Sequence, residues 1–197
     1  MQTRKAILLG VLLCLTAACS PRDFLTRRLA ADLISSSEVF NAPQVFWLKT
    51  GIVSNKEFNS PDSLVLERRG WIIGIPKGCP PNVQPSPCWD VILSPAGVDT
   101  FRPLIHNAPE GLASLKVARR ELVGITGISK AGNFADVEFT WHWISLNEVG
   151  AALYDSGVRY RSTTAFRSYD DGWRVVTDPA RSNQSLDEAL RNPQPVP

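Results

Sequence analysis

The four cysteines have the most reactive side chains in this chain, and they occur as two pairs. Cys14 and Cys19 lie in an apolar run near the N-terminus, in the stretch Leu-Leu-Cys-Leu-Thr-Ala-Ala-Cys-Ser. Cys79 and Cys88 enclose a segment rich in proline. A thiol can be acylated, oxidised to a disulfide or used as a metal ligand, and its sequence surroundings distinguish these uses.

The first eighteen residues have the pattern of a secretion signal. Arg4 and Lys5 give a charged start, residues 6–15 form an apolar core, and the small residues Thr16, Ala17 and Ala18 follow. The apolar run is shorter than the roughly twenty residues of a transmembrane helix. We therefore expect residues 1–18 to be a cleaved signal peptide and the rest of the chain to be exported.

The sequence Thr16-Ala17-Ala18-Cys19 resembles the lipobox of bacterial lipoproteins, although that family most often has Leu where this chain has Thr16. In lipoproteins the cysteine is diacylated and becomes the new N-terminus, so the resemblance implies that Cys19 carries lipid and that Cys14 leaves with the signal. The alternative is ordinary cleavage after Ala18, which leaves Cys19 as a free thiol.

The residue after the lipidated cysteine bears on localisation. In lipoproteins of Gram-negative bacteria an aspartate there favours retention in the inner membrane, whereas this chain has Ser20. The resemblance therefore implies a lipid-anchored protein of the cell envelope. In a Gram-negative host it would reach the outer membrane and face the periplasm.

Cys79 and Cys88 are expected to bond to each other, because an exported chain meets an oxidising compartment. A zinc site would need four ligands, and neither His106 nor His142 lies at ligand spacing, so we expect no metal and no cofactor. Closing a loop of about ten residues stabilises the fold by roughly 2 to 3 kcal/mol, less what the prolines already restrict.

The charge balance gives no indication of a nucleic-acid partner. The full chain has 21 Lys and Arg against 19 Asp and Glu, and removing Arg4 and Lys5 with the signal leaves 19 against 19. A neutral exported domain without a basic run lacks the electrostatic footprint of a nucleic-acid-binding protein. The partners that we expect are the membrane, through the lipid, and an envelope protein.

The remaining pattern predicts an α+β fold. Ser20-Pro21-Arg22-Asp23 resembles a capping box, and Leu25, Leu29 and Leu33 predict a helix to about residue 35. The strands predicted after it are residues 44–53, 64–67, 71–75, 89–93, 115–128, 135–146, 158–168 and 173–177, with a bulge within 119–128. We expect residues 94–97 and 147–157 to form turns or short helices. Residues 19–177 are expected to form one domain, followed by a mobile tail over 178–197 with one short helix at 186–191.

Strict alternation in residues 135–146 places apolar side chains on one face of a strand and Glu138 and His142 on the other. Val137, Phe139, Trp141 and Trp143 form the apolar face, which we expect to pack on the N-terminal helix. Arg161 and Arg167 continue the charged face in the next strand. His142, Glu138, Arg161 and Arg167 are therefore the candidate ligand or partner face, with cross-strand charge pairing as the structural alternative.

The capped helix, the antiparallel meander and the closing hairpin Ala165-Phe-Arg-Ser-Tyr-Asp-Asp-Gly-Trp-Arg-Val175 are similar to the cystatin-like and nuclear-transport-factor-2-like folds. That resemblance implies a curved antiparallel sheet that wraps the N-terminal helix as a cone. These folds include isomerases, dehydratases, binding modules and scaffolds. We favour a non-enzymatic binding or scaffold module. The alternative is a small-molecule pocket inside the cone, catalytic if a carboxylate or histidine lies at its rim.

Overall fold

The computed structural model describes residues 24–81, 87–105, 112–178 and 184–196. These residues form an α+β structure with a mainly antiparallel sheet that is not closed. They divide into two compact units. Unit 1 consists of the described residues up to Phe40 together with those of Leu122–Thr140 and Tyr160–Pro195. Unit 2 consists of the described residues of Asn41–Glu121 and Trp141–Arg159, with Val196.

The chain consists of short helices and of strands that differ widely in length. The helices are α1 (Arg27–Ser36), α2 (Glu38–Asn41), α3 (Asn55–Phe58), α4 (Pro61–Arg68), α5 (Pro95–Phe101), α6 (Glu148–Leu153) and α7 (Leu186–Arg191). The strands are β1 (Gln44–Lys49), β2 (Gly51–Ser54), β3 (Ile72–Lys77), β4 (Cys88–Leu93), β5 (Leu112–Ala131), β6 (Phe134–Ser145), β7 (Arg159–Tyr169), β8 (Gly172–Val175) and β9 (Gln194–Val196).

In unit 1 the strand order is β5-β6-β7-β8, and β9 also pairs with β7. The alternation in β6 is the predicted one, because Val137 and Phe139 are buried while Asp136 and Phe134 are exposed. Phe40 meets Phe139 edge to face, with ring centroids 6.5 Å apart. The apolar face predicted for residues 135–146 is therefore confirmed, and Trp141 and Trp143 of unit 2 are buried as well.

Helix α1 begins later than the sequence predicts. Thr26 is its N-cap, with the Thr26 hydroxyl accepting a hydrogen bond of 3.1 Å from the Leu29 amide. Leu25 precedes the helix, which corrects the predicted stripe, and residues 20–23 lie outside the described part. The buried positions are Ala30 and Ile34, one residue along from Leu29 and Leu33. Since α1 contacts β8, its buried face belongs to the core of unit 1.

Unit 2 contains the antiparallel sheet β2-β4-β3 and the pairing of β1 with the first part of β5. The predicted strand 44–53 is therefore two strands in two sheets. The prediction of a strand at 64–67 is wrong, because these residues lie in α4. Ser60 caps this helix and Pro61 occupies its first turn, where a proline is preorganised for a helix. The capping chemistry thus outweighs the short apolar run.

The pairing of β1 with β5 changes register between Gln44 and Val45, opposite Val117. This irregularity lies just before the predicted bulge region 119–128. The Val117 carbonyl accepts a hydrogen bond of 2.9 Å from the Leu146 amide. Gly150 lies so close to the same carbonyl that any Cβ would clash with it. Val117 is the extra residue of β5, and the change of register directs its carbonyl towards the start of α6.

The predicted short helix at 186–191 is confirmed as α7, with Leu186 and Leu190 buried. Its N-cap, Ser185, accepts from the Glu188 amide at 3.3 Å. Strand β9 follows it within the segment assigned to the tail, and it pairs with β7. Both segments predicted as turns or short helices take part in helices: α5 begins within 94–97, and α6 lies within 147–157.

Candidate functional site

The structure confirms the predicted disulfide between Cys79 and Cys88, whose Cα atoms are 5.0 Å apart. Cys88 is the first residue of β4 and is fully buried. The predicted lipid attachment site, Cys19, lies outside the described residues, as do Cys14 and His106.

His142 lies on β6 in unit 2 and is half-buried. Its Nε2 lies 3.0 Å from Glu121 Oε2, and its Nδ1 lies 3.2 Å from the Ser156 carbonyl oxygen. Its acidic partner is thus Glu121, where the sequence pattern points to Glu138. This arrangement is a cross-strand contact between a histidine on β6 and a glutamate on β5.

Alternation assigns Glu138 and Arg161 to the same face, and in unit 1 their side chains lie next to each other. Arg161 Nε lies 3.9 Å from Glu138 Oε1, and the Thr126 hydroxyl donates to the same carboxylate oxygen at 2.7 Å. Both side chains line an open polar cleft of about 370 Å³. Its other walls are Ser162, Thr163, Glu188, Ala189, Asn192 and Gln194.

Arg167 has aromatic neighbours. Its guanidinium lies 5.5 Å from the centroid of the Phe134 ring and 5.3 Å from that of Tyr169. The four residues predicted as one face therefore divide between an ion pair, a histidine–glutamate contact and a cation–aromatic cluster.

A cavity of about 300 Å³ lies within unit 2 and follows β1, and we call it the β1 groove. All six residues of β1, from Gln44 to Lys49, line it. On this strand the side chain of Trp47 is 56% exposed, whereas that of Leu48 is buried.

The floor of the β1 groove is apolar. It consists of the buried side chains Leu48, Val53, Phe58, Leu66, Ile72 and Val91. Phe58 stacks on Trp89 with ring centroids 4.5 Å apart, and Trp89 Nε1 donates to Asn55 Oδ1 at 2.9 Å. Any Cβ at position 74 would clash with the Phe58 ring, so Gly74 is required for this packing. Trp89 follows Cys88 in the chain. The disulfide therefore restrains the start of β4, where Trp89 packs against Phe58 of the floor.

The lining of the groove includes the Lys49–Glu57 ion pair and the side chain of Tyr154. Lys49 Nζ lies 2.6 Å from Glu57 Oε1, and this hydrogen bond is the main reason that the pKa of Glu57 falls from 4.5 to about 2. Hydrogen bonds from Ser54 in the α3 capping box lower the same pKa further. Burial raises the pKa of Tyr154, and nearby Asp62 adds to that rise, while a hydrogen bond with Gln44 opposes it. Tyr154 therefore stays a neutral hydroxyl.

No family model, curated protein or solved structure matches this chain. The site must therefore be interpreted from its own geometry. No helix within the described residues has both the length and the apolar character needed to cross a membrane. The same part of the chain contains no cluster of three His, Cys, Asp or Glu side chains suited to a metal ion.

The sequence pattern did not predict the β1 groove or the exposure of Trp47. The run Val-Phe-Trp-Leu shows a strand but does not show which face is covered. The exposure of Trp47 depends on β1 pairing with a distant segment, residues 112–118, and sequence periodicity carries no information on that pairing. Tyr154 was equally hidden, because it follows a short helix whose position only packing determines.

Proposed function

We propose that this chain is a lipid-anchored protein of the bacterial cell envelope and that its β1 groove binds an extended apolar segment of another envelope protein. The observation that carries the proposal is the course of the cavity along all six residues of β1. In this proposal the protein is a binding module without catalysis, and the lipid on Cys19 holds it at the membrane.

Edge-strand geometry supports an extended ligand. In the described structure β1 stands at the end of its strand order and pairs with β5 alone. An edge strand presents amide and carbonyl groups along its outer side. A peptide in extended conformation can pair with these groups, and pockets beside the strand then accept alternate side chains.

The lining of the groove supports an apolar ligand. The floor is made of aliphatic and aromatic side chains, and exposed Trp47 adds a large apolar surface at its rim. Lys49 and Glu57 form an ion pair, and Asp62 is the further charged residue of the lining, so the groove carries little net charge. A segment with apolar residues at every second position fits this surface, because successive side chains of a strand point to opposite faces.

The anchor is proposed from the resemblance of residues 16–19 to a lipobox. Cys19→Ser should move the protein from the membrane fraction to the soluble envelope fraction. Normal processing with unchanged membrane fractionation would contradict the anchor.

The proposal also includes the cystatin-like arrangement, with the N-terminal helix packed on the sheet. It is supported by the contact of α1 with β8 and by the buried Ala30 and Ile34.

In-cell photo-crosslinking tests the groove. A photoreactive amino acid at position 47 should form one discrete protein adduct, and mass spectrometry should locate it in an extended apolar segment. The matched control is position 73 on β3, since Ile73 is similarly exposed but does not line the groove. Equal adducts from both positions, or none from position 47, would contradict binding along β1.

A small-molecule pocket is the second candidate, and Tyr154 is the observation that favours it. A half-buried neutral hydroxyl beside an apolar cavity can donate a hydrogen bond to a carbonyl oxygen, as general acids in isomerases do. Tyr154→Phe distinguishes the two candidates. An extended segment should still bind this variant within about threefold, whereas a small ligand held by the hydroxyl should lose about tenfold or more.

A further inference from the structure

One end of unit 1 carries exposed aromatic side chains next to two turns. The Ser168 amide donates to the Asn133 carbonyl at 2.8 Å, so the β5–β6 turn lies beside the end of β7. Phe134 follows the first turn and is 49% exposed. Tyr169 precedes the second turn and is 42% exposed. Aromatic rings at the tips of two hairpins are therefore open to the surroundings.

Basic side chains accompany these rings. Arg167 contacts both Phe134 and Tyr169, and the Arg174 guanidinium lies 4.9 Å from the Tyr169 centroid. Lys130 Nζ lies 5.8 Å from the Phe24 centroid and 5.2 Å from that of Trp173. We call Phe24, Lys130, Phe134, Arg167, Tyr169 and Arg174 the aromatic–basic surface.

The N-terminal end of the described residues lies at this surface. Phe24 is the first described residue and is 61% exposed. Cys19 precedes it by five residues, a span that covers at most about 17 Å even when fully extended. A lipid on Cys19 would therefore hold the aromatic–basic surface close to the bilayer.

We infer that the aromatic–basic surface contacts phospholipid headgroups of the membrane in which Cys19 is anchored. This inference rests on the lipid anchor in the proposed function. Tyrosine and other amphipathic rings favour the membrane interface, and arginine and lysine bind lipid phosphate. Asp170 and Asp171 lie at the tip of the second turn, and Asp171 pairs with Arg174, so the net positive charge is small. The surface thus orients the anchored protein and adds modestly to its affinity.

Vesicle sedimentation tests the surface without help from the lipid. The full chain with Cys19→Ser is mixed with vesicles of phosphatidylcholine alone or with about one third phosphatidylglycerol. Binding should be stronger to the anionic vesicles and should weaken as salt is added. Adding Arg167→Gln and Arg174→Gln should lower the partition coefficient by about five- to twenty-five-fold.

Arg191→Gln is the matched control, because Arg191 is an exposed arginine of unit 1 paired with Asp187, as Arg174 is paired with Asp171. All variants share residues 1–18, so any contribution of that segment cancels in the ratio. Equal losses in control and test variants, or no preference for anionic vesicles, would overturn the inference. Failure of the anchor would appear separately, as the absence of lipid on Cys19 in the mass spectrum of the protein with its native Cys19.

Discussion

The β1 groove and the aromatic–basic surface both expose aromatic side chains, but their charges are arranged differently. In the groove, Trp47 borders an apolar floor, and the nearby Lys49 and Glu57 form an ion pair with each other. At the aromatic–basic surface, Phe134 and Tyr169 lie under the guanidinium of Arg167. An exposed ring alone therefore does not identify a partner.

The neighbouring charges indicate which partner fits each region. In the β1 groove Lys49 and Glu57 pair with each other. The groove therefore favours an apolar, uncharged ligand, because a charge that is buried without a partner is costly. Cations placed over rings at a surface favour phosphate and a wet, amphipathic interface. The same residue types thus predict a protein segment for unit 2 and lipid headgroups for unit 1.

The largest predicted effect separates buried from exposed aromatic residues. Trp141 is fully buried and meets Trp143 edge to face at 5.1 Å, so Trp141→Ala should lower the free energy of unfolding by about 3 to 5 kcal/mol. Trp47→Ala and Tyr169→Ala should each cost less than about 1 kcal/mol, because both rings are exposed. Urea denaturation measures all three.

His142→Ala provides the comparison on the opposite face of β6. It removes the contacts with Glu121 and the Ser156 carbonyl from a half-buried position, and should cost about 1 kcal/mol. A loss equal to that of Trp141→Ala would show that His142 has a larger role than charge pairing. It would then be the first residue to test for function.

The second prediction concerns the disulfide that supports the groove wall. Replacing the pair by Cys79→Ser and Cys88→Ala should lower stability by about 2 to 3 kcal/mol, because the unfolded chain regains the entropy of the closed loop. Binding at the groove should weaken too, since Trp89, which follows Cys88 in the chain, stacks on Phe58 of the groove floor. Reduction of the native protein should reproduce both effects in the denaturation and binding assays. A variant as stable as the native protein would show that the loop is already restricted by its prolines.

The fold was largely predictable where local chemistry determined it. Alternation in residues 135–146 identified the buried face of β6, and the short helix predicted at 186–191 is α7. Residues 64–67 show the limit, because a four-residue apolar run fits a strand and a helix equally well. There, Ser60 and Pro61 determine the helix. The split between β1 and β2 depends on long-range pairing.

The candidate sites were less predictable for the same reason. The disulfide followed from the predicted export and from the cysteine spacing. Alternation placed Glu138, His142 and Arg161 on one face but did not give their partners. Arg161 lies next to Glu138, whereas His142 contacts Glu121, because cross-strand neighbours depend on register. The β1 groove requires residues from β1, β2, β3, β4, α3, α4 and Tyr154, and no local pattern links these segments.

The third and smallest prediction concerns the pH dependence of the Lys49–Glu57 ion pair at the β1 groove. Because the folded-state pKa of Glu57 is about 2 against an ordinary 4.5, its stabilising contribution is complete above pH 4.5 and is lost as the pH falls towards 2. Glu57 is largely exposed, so Glu57→Gln should cost at most about 1 kcal/mol at pH 7. The difference should shrink near pH 3, as measured by urea denaturation. Lys49→Met should give a similar pH dependence, and a loss that does not vary with pH would contradict the role of the ion pair.

Hydrogen exchange tests the central claim about the β1 groove most directly. The segment captured from position 47 is synthesised and added to the full-length protein at saturating concentration. If it pairs with the edge of β1, amides within Gln44–Lys49 should exchange about tenfold more slowly or more, while those of β3 should be unchanged. Saturation of the groove with no change in β1 exchange would contradict the account.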